Sequence, residues 1–272
     1  MFVTVFFDTE EWWTAPSRRF FELDRIILGH IIPILNKHKV TAVFNTLGKV
    51  AESYPSLIKK LSQDGHEIAS HGYSHENFVQ MSTDEINFRL EKTEKKIQQL
   101  IKMKPVGFRA PWTYHDERLY TILAQRGYLW ASNTRIPHIS KIYRPDIKAD
   151  KVTDTLRKLY VHLKRAKTKK IPHQKFGLFE FPMVSMMDGE LLNELDPEQL
   201  SREDWLDYGF KALQSQFECS KGFFNLNFHP WLIGTANRPE LLDRILHYLR
   251  SQDVTFMTAK DLVKQENFER KG

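Results

Sequence analysis

Two histidines, His71 and His75, stand close together in the segment EIASHGYSHENF, residues 67–78. Residues at i and i+4 share one face of a helical turn, so a helical turn here would let both imidazoles reach one metal ion. With one carboxylate they make a three-ligand set that leaves positions open for water and substrate, as catalytic zinc requires. Iron, cobalt and nickel accept the same ligands, so the pattern predicts a divalent metal without fixing which one.

Other titratable side chains stand at the ends of further strand-like runs. Asp8 and Glu10 follow the run FVTVFF, Arg109 lies within VGFRA, and His229 ends FFNLNFH. In a parallel (β/α) barrel the carboxyl ends of all strands meet at one rim, where the chemistry gathers. Together with the run before the histidine pair, four separate runs therefore deliver titratable groups to one place.

These residue types suffice for metal-assisted hydrolysis. Asp8 and Glu10 lie two positions apart and point to the same side if the strand pleat continues through them. One carboxylate can bind the metal while the other takes a proton from the attacking water, and a cation such as Arg109 would hold that second carboxylate ionised. His229, on another strand, can protonate a leaving group.

Short runs rich in β-branched and aromatic residues recur along the chain, and each has the length of a buried strand. They are FVTVFF (2–7), VTAVFN (40–45), HEIAS (66–70), VGFRA (106–110), YLWAS (128–132), LFEFPM (178–183), FFNLNFH (223–229) and VTFMT (254–258). Helical patterns fall between the runs, at residues 53–61, 82–101 and 240–251, and Ser82 with Glu85 makes a capping box for the second of these helices.

This alternation predicts an α/β fold, a distorted (β/α) barrel of seven or eight parallel strands with helices outside. We expect a single catalytic domain over residues 1–272. Strand signals lapse at residues 133–177, which predicts an insertion or long loops there.

The motifs FFDTE, SHGYSH, FRAPW and LNFHP occur in this order, each at the end of a predicted strand. Together they resemble the motifs of the NodB-homology polysaccharide deacetylases, also called carbohydrate esterase family four. The segment AVFNTLGKVAESYPSLIKKLSQDGHEIASHGYSH is also similar, in residue types and spacing, to the family segment that leads into the histidine motif. The resemblance runs from about residue 2 to residue 260. It implies a distorted barrel and hydrolysis of an N-acyl or O-acyl group on a sugar.

The resemblance implies a catalytic role for several residues. Asp8 would be the general base, with Arg109 orienting it, and His229 would be the general acid. The backbone N–H near Trp112 would help to hold the tetrahedral oxyanion. Leu226 would line the pocket for the acetyl methyl group.

The metal ligands implied by the resemblance are Glu10, His71 and His75. The family usually binds Zn²⁺, so the resemblance implies zinc, while Co²⁺, Ni²⁺ and Fe²⁺ stay open because the ligand types also suit them. The sequence departs from the family at Glu10, which stands in an Asp-x-Glu pattern where many members have adjacent aspartates. Glutamate ligates equally well, but its longer arm changes the geometry, so Glu11 stays open as an alternative ligand.

A second departure concerns the acid histidine. The family's fourth motif often supplies an aspartate near it, whereas the segment YLWASN at that point has Ser132 and Asn133 but no acid. The expected function is a metal-dependent deacetylase acting on an N-acetylated sugar. Two alternatives stay open: another amidohydrolase reaction on this fold, such as deformylation or opening of a cyclic amide, and a non-catalytic glycan-binding relative.

Composition limits the other classes of protein. Of the 272 residues, 41% are apolar and 27% charged, as in ordinary folded proteins. The lone cysteine, Cys219, excludes an internal disulfide. No apolar run approaches the roughly 20 residues of a membrane span. The start MFVTVFFDTEEWW has no basic n-region, so we expect no signal peptide and a cytoplasmic location.

The formal net charge is +6, and part of the excess lies in KRAKTKK, residues 164–170. This segment predicts either a solvated surface or contact with an anionic partner, such as a phosphate-bearing carrier or a membrane surface. Nucleic acid is not expected, because no recognition motif accompanies the charge. The expected partner is an N-acetylated glycan or lipid-linked sugar, and the oligomeric state stays open.

Overall fold

The computed structural model describes residues 1–10, 22–136, 171–185, 187–193, 202–236 and 238–269. Its strands are β1 (Phe2–Thr9), β2 (Val43–Thr46), β3 (Glu67–Ser70), β4 (Gly107–Phe108), β5 (Trp130–Ala131), β6 (His173–Lys175), β7 (Leu178–Glu180), β8 (Phe223–Phe228) and β9 (Thr255–Phe256). Its α-helices are α1 (Leu23–Ile26), α2 (Ile32–Lys37), α3 (Gly48–Ser53), α4 (Pro55–Gln63), α5 (Thr83–Ile101), α6 (Glu117–Gln125), α7 (Asp188–Asn193), α8 (Arg202–Glu218), α9 (Pro230–Ile233), α10 (Pro239–Arg250) and α11 (Ala259–Glu269). A π-helical turn at Ile27–Ile31 joins α1 to α2, and Phe78–Gln80 and Pro111–Thr113 are 3₁₀ turns.

The strands form one sheet in the order β6-β7-β5-β4-β3-β2-β1-β8, and β9 pairs with the beginning of β1. Every pairing except β6–β7 is parallel, and the sheet curls into a half-barrel with helices around it. The predicted distorted (β/α) barrel is therefore confirmed. Each predicted run contains a strand, and β6 is an additional, antiparallel strand that the polar sequence HQK did not indicate.

The chain after β7 brings that side of the sheet to β8. Met183 pairs with Arg135, and Met187 pairs with Asn227, each in an isolated parallel bridge. The side chain of Asn225 also exchanges hydrogen bonds with the backbone of this connection. The start of α7 is therefore held against the carboxyl end of β8.

Helix α5 begins as its sequence predicts. The Ser82 hydroxyl accepts a hydrogen bond from the Glu85 N–H, and the Glu85 carboxylate accepts one from the Ser82 N–H. This capping box satisfies backbone donors that the first helical turn leaves without partners. Ile86, Leu90 and Ile97 follow at helical spacing and are buried, so the helix is fixed beside β3.

Several predicted features lie wholly or partly outside the described residues. Among them are Glu11, the basic segment at 164–170 and most of the predicted insertion at 133–177. Within the described ranges, no helix combines the length and apolar character that crossing a membrane requires.

The amino end of the barrel contains a buried glutamate. The Trp130 ring packs where Gly107 has no Cβ, and its Nε1–H donates to Glu67 Oε1 at 2.8 Å. The other oxygen of Glu67 accepts a hydrogen bond from the Lys260 N–H at the start of α11, at 2.9 Å. Burial outweighs these hydrogen bonds and raises the pKa of Glu67 to about 7.

Glu67→Gln tests this burial through the pH dependence of stability. Since the pKa of Glu67 is higher in the folded than in the unfolded state, protonation stabilises the fold fully below pH about 4.5, and this stabilisation is lost as pH rises to about 7. Between these pH values the wild-type free energy of unfolding should fall, relative to the variant, by on the order of 3 kcal/mol. Urea unfolding from pH 4 to 8 measures this difference.

The matched control is Glu117→Gln, which neutralises an exposed glutamate at the start of α6. This control should keep the wild-type pH dependence. Parallel stability curves for the wild type and Glu67→Gln would contradict the buried, proton-binding state of Glu67.

Candidate active site and metal centre

Glu10, His71 and His75 form a cluster at the carboxyl end of the barrel. One ligand atom from each lies within 4.8 Å of the others, and all three side chains are buried. Glu10 Oε2 is 2.7 Å from His75 Nε2 and 3.3 Å from His71 Nε2. One carboxylate oxygen and two imidazole nitrogens are a donor set that fits zinc and leaves room for further ligands.

The surroundings of this cluster also suit a metal. The Nδ1 of His71 lies 2.8 Å from the Arg109 carbonyl oxygen, so Nδ1–H donates there and Nε2 is directed at Glu10. Such an outer hydrogen bond fixes the tautomer and orientation of a ligating histidine. Burial raises the pKa of Glu10, but hydrogen bonds from His71 and His75 lower it more. The pKa of this carboxyl group is therefore well below its usual value.

The histidine pair does not lie on a helical turn, so that prediction is wrong. His71 directly follows β3, and the chain then runs through a loop to His75. Gly72 has φ of +84° and His75 has φ of +67°, both in the left-handed region. These angles turn the chain back, so the two rings meet edge to face with their centroids 5.4 Å apart.

Glu76 holds this loop in place. Its Oε2 accepts from the Tyr73 N–H at 2.9 Å, and its Oε1 accepts from the Ser74 N–H at 2.8 Å and from the Ser74 hydroxyl at 2.9 Å. A residue other than glycine with positive φ, such as His75, is strained and persists only when its surroundings fix it. Glu76 therefore supports the position of a candidate metal ligand.

Asp8 lies at the end of β1 and points into the barrel. Its Oδ1 accepts from Asn45 Nδ2 at 2.7 Å and from Arg109 Nη1 at 3.0 Å. Burial favours the neutral form of Asp8, but the charges of Arg109, His71 and His229 outweigh burial, so the pKa of Asp8 lies below its usual value. Asp8 and Glu10, the two carboxylates at the carboxyl end of β1, thus have different partners.

Arg109 is fully buried and has partners on every side. Besides Asp8, its guanidinium donates to the Ser132 hydroxyl at 2.8 Å, to the Ser132 carbonyl at 3.2 Å and to Asn227 Oδ1 at 2.9 Å. The guanidinium also lies over the Phe6 ring, 4.5 Å from its centroid. A buried cation with this many contacts has one orientation, and it directs one N–H at Asp8.

His229 follows β8 and forms a pair that the sequence did not predict. Its Nδ1 lies 2.6 Å from Asp188 Oδ1, and its backbone N–H donates to Asp188 Oδ2 at 2.7 Å. Burial lowers the pKa of His229, but Asp188 opposes burial and raises this pKa to about 9. An acid therefore does lie beside His229, but it is the first residue of α7 and does not come from the segment YLWASN.

The segment FRAPW ends in a tight turn beside the histidine pair. Trp112 and Thr113 have φ of 55° and 60°, and the Thr113 N–H donates to the Ala110 carbonyl at 2.9 Å. The Trp112 ring meets the His75 ring edge to face, with centroids 4.9 Å apart. The turn at Trp112 therefore lies beside the candidate metal ligand His75.

The prediction that Leu226 lines the pocket is wrong. Asn225 and Asn227, on either side of it in β8, direct their side chains to partners inside the barrel. Because side chains alternate along a strand, Leu226 points to the other face and is buried in the hydrophobic core.

An open cleft of about 290 Å³ contains the candidate residues other than Arg109, which lies beneath it. Trp112 and Tyr114 are both more than half exposed at its edge and offer aromatic surface. The full lining is Asp8, Glu10, His71, His75, Ala110, Trp112, Thr113, Tyr114, Arg135, Met187, Gly189 and His229.

Comparison with known proteins agrees with the class that the barrel and its rim indicate. The family model for polysaccharide deacetylase matches residues 26–131, and the predicted resemblance to this family is confirmed. The matched segment includes the histidine pair and Arg109, whereas Asp8, Glu10 and His229 lie outside it.

Curated relatives match over part of their length. The uncharacterized protein YlxY of Bacillus subtilis (strain 168) is 39% identical over 99 residues, which are 36% of this chain and 31% of that protein. The peptidoglycan-N-acetylglucosamine deacetylase of Bacillus cereus is 35% identical over 82 residues, which are 30% of each chain. The aligned part thus spans about a third of the length of these relatives.

The fold has a counterpart among solved structures. A Mycobacterium smegmatis protein that is assigned as a polysaccharide deacetylase superposes with a TM-score of 0.68. The two share 18% sequence identity, and the superposition covers 98% of this chain and 91% of the other. At this identity the likeness shows a shared fold.

Glu76→Ala tests whether the histidine loop is built to bind a metal. The change removes the acceptors for the Tyr73 and Ser74 N–H groups, so His75 should lose its fixed position. Zinc affinity, measured by competition with a chromophoric chelator, should fall about 10- to 100-fold, as it does when an outer partner of a metal ligand is removed.

Glu91→Ala is the matched control, because Glu91 is a glutamate on α5 that forms an ion pair with Lys95 one turn along the same helix. Its zinc affinity should equal that of the wild type. Equal zinc affinity in Glu76→Ala and Glu91→Ala would contradict the role of Glu76.

Proposed function

We propose that the protein is a metal-dependent hydrolase that removes the acetyl group from an N-acetylated sugar of a glycan or lipid-linked glycan precursor. One observation carries this proposal: the two carboxylates at the carboxyl end of β1 have separate partners. Glu10 contacts His71 and His75, while Asp8 contacts Arg109 and Asn45. Amide hydrolysis at a metal needs one group that binds the metal and a nearby group that accepts a proton from water. Two neighbouring carboxylates with different partners can supply both.

Glu10, His71 and His75 would hold the metal, and Zn²⁺ is the ion that this donor set fits best. When bound there, a divalent ion would polarise the acyl carbonyl and make water more acidic.

Asp8 is the proposed general base. Its low pKa keeps the carboxylate ionised at neutral pH and able to accept a proton. Arg109 and Asn45 both bond to Oδ1, so these contacts orient the carboxylate and leave Oδ2 to face the cleft and take the proton of the attacking water.

The Trp112 N–H is the proposed oxyanion donor. A fixed donor directed at the charge that develops in the transition state is typically worth about 3 kcal/mol. The turn at FRAPW supports this assignment, because Trp112 lines the cleft and its ring contacts the His75 ring. Trp112 and Tyr114 would also contact the faces of the sugar rings.

His229 is the proposed general acid. Its Nδ1 is occupied by Asp188, so Nε2 is the atom that delivers a proton to the leaving amine. A pKa of about 9 keeps this imidazole protonated at neutral pH. The non-catalytic alternative depended on the lack of an acid beside His229, and Asp188 removes that reason.

Asp8→Asn and His75→Ala should separate base from ligand. Asp8→Asn keeps the metal ligands and should bind zinc like the wild type, while kcat falls about 10²- to 10⁴-fold because no base remains. His75→Ala should lose both zinc and turnover. Acetate release from N-acetylated chito-oligosaccharides and lipid-linked sugars, together with zinc content, measures both effects. Wild-type turnover in both variants would contradict the assigned roles.

Asp188→Asn should impair the acid without affecting the metal. The change weakens the hold on His229 and lowers its pKa, so kcat should fall at least about tenfold while zinc affinity stays constant. Asp243→Asn is the matched control, because Asp243 pairs with His38 at 2.7 Å outside the cleft. Equal kcat in Asp188→Asn and Asp243→Asn would contradict the role of Asp188.

A further inference from the structure

Glu180 is a buried carboxylate that the proposed chemistry does not use. It ends β7 and is fully buried. Its Oε2 accepts from the Tyr120 hydroxyl at 2.6 Å, and its Oε1 accepts from the N–H of Asn133 at 2.9 Å and of Thr134 at 2.6 Å. Burying a carboxylate is costly, and these three hydrogen bonds offset that cost. They also restrain the three groups that donate them.

The amides of Asn133 and Thr134 lie just after β5. That strand has two residues, and the backbone of β7 pairs with it through the Phe181 N–H, which donates to the Ala131 carbonyl. Beyond this point the Ser132 N–H donates to the Phe108 carbonyl on β4, and the Glu180 side chain supplies the acceptor for the amides of Asn133 and Thr134. Glu180 therefore holds the backbone at 133–134 together with the Met183 N–H, which donates to the Thr134 carbonyl at 2.8 Å.

This short stretch contacts both parts of the rim that act on the substrate carbonyl. Asn133 Oδ1 accepts from the Ala110 N–H at 2.7 Å, immediately before the turn that contains Trp112. Ser132 accepts two hydrogen bonds from Arg109, which orients Asp8. A shift at 132–134 would thus move the oxyanion donor and loosen the base.

We propose that Glu180 is a positioning residue for hydrolysis: through Asn133 and Ser132 it fixes the oxyanion turn after Ala110 and the guanidinium of Arg109. This inference rests on the proposed function. It assigns a role to the acid in LFEFPM, where the sequence otherwise indicates only a buried strand. The metal cluster comes from β1 and the loop after β3, so Glu180 should act on turnover and not on metal affinity.

Glu180→Ala removes the acceptor for both amides, and Asn133→Ala removes only the link to Ala110. Each should lower kcat at least about tenfold, because a displacement of about 1 Å can cost about 100-fold. KM and zinc affinity should stay within about twofold of the wild type. Glu180→Gln keeps one oxygen for the two amides and should restore most of the kcat.

Tyr120→Phe is the matched control, since it removes the bond to Oε2 and leaves both amide bonds intact. It should keep the wild-type kcat. Wild-type kcat in both alanine variants would overturn the proposal. A matching loss of kcat, zinc affinity and thermal stability in Asn133→Ala would also overturn it, because the role would then be only structural.

Hydrogen exchange of the Ala110 amide gives a second readout that does not need activity. Exchange should be faster in Glu180→Ala and Asn133→Ala than in the wild type and Tyr120→Phe. If the zinc-loaded wild type releases no acetate from any substrate, the proposed function fails, and exchange alone still tests the positioning. An unchanged exchange rate in both alanine variants would overturn the positioning role.

Discussion

The buried contact between Arg109 and Asp8 is the constraint on which the carboxyl end of the barrel depends. Two charges taken out of water are tolerated only where further hydrogen bonds satisfy them. Asn45 donates a second hydrogen bond to Asp8, and Ser132 and Asn227 accept hydrogen bonds from Arg109. These partners come from β2, from the end of β5 and from β8, so one guanidinium sets the relative positions of several strands. The barrel interior contains polar residues such as Asn45 and Asn227 because the buried charges of Asp8 and Arg109 need hydrogen-bond partners.

This contact also gives the two carboxylates at the carboxyl end of β1 different environments. Asp8 is bound by Arg109 and faces the cleft, while Glu10 turns to His71 and His75. Because their environments differ, neighbouring carboxylates can have different roles, as they do in hydrolases where one carboxyl group is an acid and its neighbour stays ionised. The same rim adds a histidine–aspartate pair from β8 and α7. The proposed base, metal ligands and acid therefore have different partners, and all of them meet at one cleft.

The sequence predicts most of the barrel because each buried strand is a short apolar run, and it predicts the rim because reactive residues follow those runs. It could not predict contacts between distant segments, such as Asp188 with His229, since no periodic pattern marks α7. The i and i+4 spacing is compatible with helix or loop, and the positive φ of Gly72 and His75 decides for a loop. The prediction that Leu226 lines the pocket failed because the strand register decides which side chains point into the barrel, and family motifs do not specify that register.

The most direct test of this division of roles is a crystal structure of the protein grown with zinc, with anomalous scattering recorded at the zinc edge. The account predicts one zinc peak bound by Glu10, His71 and His75, with Asp8 outside bonding distance and still paired with Arg109. A zinc ion bound by Asp8, or no zinc at this cluster, would contradict it.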